Sequence, residues 1–149
     1  MPSLCLSLVS LFLLAAAGLA QSATLRSPEE AKELAEKILG RAVVGNTDSI
    51  AAIIRPYWPF PDNELEALVA ETTRKRQGLV NRLGKSIGFV LVRRETLSDT
   101  FLRLTYVEKL DHTGLRWSFT FYKARDTWKV HSFSWDEDLT SLFSSGSHR

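Results

Sequence analysis

The sequence predicts an α+β domain: three N-terminal helices packed on a curved four-stranded antiparallel sheet, closed by a short C-terminal helical turn. Three observations carry this. Apolar residues recur at helical spacing as far as Leu83, and from Ile87 onward the period becomes two. Gly45, Pro56 and Gly84 fall where the helical periodicity breaks. Helical segments come first and strands follow, and this grouping stacks helices on one face of an antiparallel sheet rather than alternating them with parallel strands.

The first twenty residues, MPSLCLSLVSLFLLAAAGLA, contain no acid or base, run apolar from Leu4 to Ala17 and close on Gly18 and Ala20. This is the pattern of an export signal cleaved near Ala20, which implies a secreted or periplasmic protein. Its start lacks Lys and Arg, which leaves retention as a short membrane anchor as the alternative; the apolar run is shorter than the ~20 residues that span a bilayer. Cys5, the only cysteine, lies inside the segment. After cleavage the chain would have no thiol, disulfide or cysteine metal ligand.

Removing 20 residues from 149 leaves 129, enough for one domain. The expected layout is a linker over 21–26, a single domain over 27–143 and a disordered polar tail over 144–149. The chain has 19 basic and 17 acidic side chains, net +2, with the two signs interspersed. Such a balance makes no field that would draw in nucleic acid, or a membrane surface once the signal is gone.

The first helix opens at Ser27 as cap, with Pro28 at the first helical position and Glu30 completing a capping box. Its apolar stripe is Ala31, Leu34, Ala35, Ile38, Leu39 and Ala42, Glu33 and Lys37 form an i,i+4 pair, and Gly45 ends it. Thr47 or Asp48 caps a short second helix bearing Ile50, Ile53 and Ile54, which Pro56 stops; the prolines of PYWPFP then make an extended corner. Asp62 caps the third helix, whose apolar positions are Leu65, Leu68, Val69, Thr72, Leu79, Val80 and Leu83, with a polar interruption at 74–77 and Gly84 as terminator.

Four strands follow over 87–97, 101–110, 115–124 and 128–135, joined by turns at 98–99, 111–114 and 125–127. In the third, Trp117, Phe119 and Phe121 share one face and Arg116, Ser118 and Thr120 the other. In the fourth, Trp128 and Val130 have one parity and Phe133 and Trp135 the opposite one, so an extra residue at His131 or Ser132 is needed to put all four on one face. That predicts a β-bulge. A closing helical turn occupies 136–143.

GKSIG, residues 84–88, fits the G-x-S-x-G pattern of a nucleophile elbow, but that motif needs a strand entering and a helix leaving. Here a helix enters and a strand leaves, so Ser86 is read as structural. No catalytic residues are assigned. Asp136, Glu137 and Asp138 read as a helix start, and His112 and His131 lack the supporting ligands of a zinc site, so no metal and no cofactor are expected. The runs Arg74-Lys75-Arg76 and Arg93-Arg94 read as solvated faces. Arg93 is the exception: it shares a parity with Ile87, Phe89 and Leu91, which would turn it inward beside an anion or Glu95. The aromatic residues are chiefly core, with a subset expected to wall a concave apolar cavity. The pocket candidates are Trp58, Phe89, Arg93, Tyr106, Trp117, Phe119, Phe121 and Trp135.

Helices followed by a strongly bent sheet with a late bulge resemble the nuclear transport factor two-like superfamily. More narrowly, PYWPFPDNELEALV, GKSIGF and RWSFTFYKARDTWKVHSFSWDEDLTSLF resemble an uncharacterised family of small exported bacterial proteins of that type. The similarity covers nearly all of 27–143. A cystatin-like sheet around one helix is the second fold considered; three helices and the lack of a Q-x-V-x-G stretch count against it. The superfamily hosts isomerases, dehydratases, pore-assembly subunits and binding domains. Its enzymes, such as ketosteroid isomerase and scytalone dehydratase, place Asp with Tyr or His inside a cone of sheet and helices. Here Asp99 and Asp111 fall in turns and Asp136 follows the last strand, so no catalytic set carries over. The resemblance therefore implies a non-catalytic domain that binds a small apolar or amphipathic ligand, or a partner protein, through that cone. The other classes weighed are a cofactor-free isomerase or hydrolase-like enzyme using Tyr106 or His131 with a carboxylate, and a purely structural subunit. Oligomeric state is not encoded in any pattern found.

Overall fold

A computed structural model describes residues 23–143. The proposed export signal and the polar tail lie outside the described residues. The expected architecture is present: three helices, α1 (Pro28–Val43), α2 (Ile50–Ile54) and α3 (Asp62–Leu83), precede β1 (Ser86–Leu97), β2 (Phe101–Leu110), β3 (Gly114–Lys123) and β4 (Trp128–Asp136). The strands form an open antiparallel sheet in the order β1-β2-β3-β4. A 3-10 turn at Thr140–Leu142 closes the chain.

Ser27 caps α1, its hydroxyl accepting from the Glu30 amide at 3.1 Å. The Glu30 carboxylate reaches back to the Arg26 amide, one residue earlier than a capping box requires. All six residues of the expected stripe are buried. Each large aliphatic among them contributes roughly 1.5–3 kcal/mol. The i,i+4 ion pair on this helix is Lys32 with Glu36 at 2.6 Å instead of Glu33 with Lys37. Gly45, at φ +76°, ends the helix with the Asn46 amide donating to the Arg41 carbonyl and the Gly45 amide to Ala42.

The second helix departs from expectation at both ends. Neither Thr47 nor Asp48 caps it with a side chain; a 3-10 turn at Thr47–Ser49 leads in. Pro56 ends the α-helical bonding, yet the chain winds on as another 3-10 turn, Arg55–Tyr57, because proline is tolerated in a first turn. Asp62 is the first residue of α3 rather than its cap, which is Pro61.

The expected linker contributes to the core. Leu25 is buried, forms an antiparallel bridge with Trp128 and accepts the Trp128 amide at 2.8 Å.

Three register shifts bend the sheet. The one in β4 falls where the aromatic parity demands it: Thr120 faces Ser132 and Phe121 faces Val130, leaving His131 as the extra residue. Trp128, Val130 and Phe133 are then buried together and Trp135 half-buried beside them. The other two lie in β1, between Ser86 and Gly88 and between Leu91 and Arg93. On β2 the helix-facing residues are Leu102, Leu104, Tyr106, Glu108 and Leu110, all buried. Their partners on β1 are Phe89 and Leu91 before the second shift but Arg94 and Thr96 after it. The extra residue, Val92, thus inverts the parity that would have turned Arg93 inward.

Arg93 lies on the outer face, where its guanidinium donates to the Leu142 carbonyl at 2.8 Å. Arg94 takes the helix side and pairs with Glu29 of α1 at 3.1 Å. Arg116 holds the same C-terminal segment through Ser141, while pairing across the strands with Asp136 at the end of β4 at 2.6 Å. The segment after β4 is therefore strapped across the outer face of the sheet. Asp138, two residues before the closing turn, braces it, its carboxylate accepting from the Thr140 and Ser141 amides at 3.0 and 3.3 Å. The acidic cluster is not itself a helix start: Asp136 ends β4 and pairs with Arg116, Glu137 pairs with Arg82, and the turn expected over 136–143 begins only at Thr140.

Candidate functional site

Tyr106, Trp117, Phe119 and Phe121 have no exposed surface. Trp117 stacks on Phe119 at 6.1 Å and on Trp135 at 6.1 Å, and Tyr106 meets Phe119 edge-on. These four candidates fill the space between sheet and helices with one another and wall none of the described clefts. Phe89 packs edge-on against Tyr106 and is half-buried at the side of this cluster. Trp58 sits in the 58–61 corner, its indole donating to the Pro61 carbonyl and its ring against Phe60.

The least expected feature is ionic. Where a polar interruption of the third helix was expected, α3 runs unbroken and Arg76 continues its buried stripe of Leu65, Val69 and Thr72. Arg76 forms an ion pair with Glu108, and the two side chains are 6% and 0% exposed. The second Glu108 oxygen accepts the Trp117 indole N–H at 2.9 Å. A buried carboxylate and guanidinium are tolerable only when paired and hydrogen-bonded, and here both are. The sequence did hold a signal: Glu108 has the parity of Leu104 and Tyr106, and Arg76 follows Thr72 by four.

The Tyr106 hydroxyl lies 3.5 Å from the Glu36 carboxylate. Burial, and then that carboxylate, push its phenol above the usual tyrosine range. Ser86 opens β1 two residues after the Gly84 cap at φ +93°, and its buried hydroxyl makes no hydrogen bond. It lacks the base a nucleophile needs.

One pocket candidate, Trp135, does face an opening. A cleft of about 490 Å³ runs between α3 and β4. Its apolar walls are Leu68, Leu79, Phe133 and Trp135, and its rim carries Glu71, Lys75, Asp136 and Glu137. Rim charges are matched: Lys75 pairs with Glu71 at 2.5 Å, Arg82 with Glu137 at 2.7 Å, and Arg116 with Asp136. Thr72 contributes to the lining one turn before Arg76, whereas neither member of the buried ion pair lines the cleft. A larger cleft, about 1170 Å³, lies between residues 23–26, α1 and α2, with Leu34, Ile53, Pro56 and Tyr57 among Glu33, Lys37 and Arg26.

Among the described residues no group of three or more His, Cys, Asp or Glu is placed to hold a metal ion, and no helix is long and apolar enough to cross a membrane. No family model, curated protein or solved structure matches the chain.

Proposed function

We propose that the chain is an exported, non-catalytic binding domain of the nuclear transport factor two-like type, which takes a small amphipathic ligand at the rim of its helix-covered face. The observation that carries this is the α3–β4 cleft. Four apolar side chains, Trp135 among them, wall a space of about 490 Å³, and their charged surroundings are internally paired. Ligand sites have this composition: an apolar wall with few polar groups at the edge. The interior proper is occupied by Trp117, Tyr106 and Phe119, so a ligand would dock where sheet and helix part.

The enzymatic reading finds less support. Tyr106 is buried and its hydroxyl faces the half-buried Glu36 of α1, whereas His131 is exposed at the β4 bulge, so the two candidates do not converge on one space. Native mass spectrometry of the protein purified from its own host tests the proposal. A retained small molecule that Trp135→Ala fails to hold supports it. A stoichiometric second protein in its place favours a partner-binding subunit, and turnover of a retained compound that Tyr106→Phe abolishes favours the enzyme.

A further inference from the structure

The outer face of the sheet carries a second surface, independent of the α3–β4 cleft. Two adjacent rows cross all four strands in register. Glu95, Arg103, Thr120 and Ser132 form a polar row; Leu97, Phe101 and Tyr122 form an apolar and aromatic one that ends at Lys129 on β4. With strands ~4.8 Å apart and two residues between rows, the strip is about 14 Å long and about 7 Å between row centres. A cleft of about 540 Å³ opens over the polar row and over Leu97 and Phe101, with His131 in its wall and Tyr122 beyond its edge against Phe101.

The β4 bulge creates this wall. In a regular strand, alternation would send His131 and Ser132 to opposite faces. The extra residue leaves both exposed between the buried Val130 and Phe133. His131 then links two sets of rings. Tyr122 lies 5.1 Å from Phe101, Phe101 lies 6.3 Å from His131, His131 lies 6.0 Å from Phe60, and Phe60 lies 5.1 Å from Trp58. The train is open to solvent: Tyr122 is 38% exposed, Phe60 39% and the neighbouring Leu97 70%. Rings belong in cores or at recognition surfaces.

The polar row narrows the ligand class. Arg103 and Glu95 are 3.9 Å apart, with side chains 59% and 45% exposed, so neither is locked to the other and both can meet a ligand. Thr120 and Ser132 add hydroxyls that donate and accept. The cleft lining holds one acid and one base, and Lys129 at the end of the second row adds a single cation. A polyanion would need a surplus of cations. A lipid chain would strip water from the polar row and pair none of it. The matching chemistry is a ligand with flat apolar faces, hydroxyls around its edge and no charge.

We propose that this strip binds a neutral oligosaccharide, its ring faces on Phe101, Tyr122 and His131 and its hydroxyls on Arg103, Glu95, Thr120 and Ser132. The test is isothermal titration of the folded protein with cellohexaose, maltohexaose and chitohexaose, with polygalacturonate as the acidic comparator. At least one neutral hexasaccharide should bind, and Tyr122→Ala and Arg103→Ala should each weaken it by about tenfold or more. The Arg103 side chain is 59% exposed and Tyr122 is 38% exposed on the outer face, away from the core, so both variants should fold and unfold cooperatively, and Val44→Ser, at the far end of α1, should bind as the parent does. The proposal is overturned if no neutral hexasaccharide binds at millimolar concentration, if Tyr122→Ala binds unchanged, or if only polygalacturonate binds. It is equally overturned if light scattering shows a dimer that Tyr122→Ala takes apart, since the strip would then be an interface between two copies.

Discussion

Replacing Glu108 by alanine should be among the most damaging single changes available to this fold. The carboxylate is fully buried and accepts from Arg76 and from the Trp117 indole. Its removal leaves a guanidinium that is 6% exposed without a counter-charge, a loss of about 3–5 kcal/mol in comparable buried pairs. It also leaves an indole N–H without an acceptor, which costs roughly 1–3 kcal/mol, though the two effects overlap. A net loss of about 4–6 kcal/mol is a large part of the ~5–15 kcal/mol that holds a domain together. Urea unfolding followed by tryptophan fluorescence would read this as a midpoint lower by roughly 2–3 M, for a slope near 2 kcal/mol/M. Should Glu108→Ala not fold, the double variant Arg76→Met, Glu108→Leu still tests the argument. It removes both charges and should be more stable than either single change, retaining only the cost of the unpaired indole of about 1–3 kcal/mol. A loss below about 1 kcal/mol in Glu108→Ala, or strict additivity in the double variant, would refute the account of a desolvated, mutually dependent pair.

Four further outcomes follow from the geometry. Deleting His131 turns β4 into a regular strand in which Trp128, Val130, Phe133 and Trp135 still share one face, so unfolding should stay cooperative and dye binding to exposed apolar surface should not rise. Gly84→Ala places a methyl 2.6 Å from the Asp111 Cβ at a backbone φ of +93°, and the melting temperature should fall by an amount equivalent to about 1–3 kcal/mol. Asp138 is held below the usual carboxylate range, first by the Thr140 hydroxyl and then by the Ser141 amide. A lowered folded value stabilises the strap above the unfolded pKa and loses that effect as pH falls through the folded one; the protection of the Thr140 and Ser141 amides, relative to the intrinsic exchange rate at each pH, should therefore fall below about pH 4, and Asp138→Ala should lack that protection at neutral pH. The raised Tyr106 phenol has the opposite sign: its neutral form is favoured, so its contribution is complete below pH 10 and is lost as pH climbs above it. In an ultraviolet titration one of the three tyrosines should ionise late, and Tyr106→Phe should lack that phase.

The parts of the fold legible in the sequence were those in which side-chain period alone decides the outcome. The α1 stripe, the Gly45 and Gly84 stops and the β4 bulge follow from counting positions, because burying Trp128, Val130, Phe133 and Trp135 together permits only one register. Helix starts were less legible. Asp62 has the chemistry of a cap, but Pro61 already sets the chain at φ −55° and ψ 140°, the extended conformation of the residue before a helix, so the helix begins one residue later than the side chain suggests.

The candidate site was misread for two reasons that share a cause. In β1 the alternation that seemed to point Arg93 inward crosses Val92, an extra residue carrying no aromatic pattern to betray it, and the face inverts so that Arg94 meets the helices. In α3 the Arg74-Lys75-Arg76 run looked like one solvated turn because three like charges in a row usually are, yet a helix turns each successive residue by about a quarter circle, and only Arg76 falls on the stripe of Leu65, Val69 and Thr72. Its partner was legible at the same time, since Glu108 stands among Leu104, Tyr106 and Leu110 on the core side of β2. A buried base and a buried acid, each improbable alone, become a single probable pair once both are placed by periodicity. Polar residues at core positions should therefore be matched across elements before any of them is assigned to solvent.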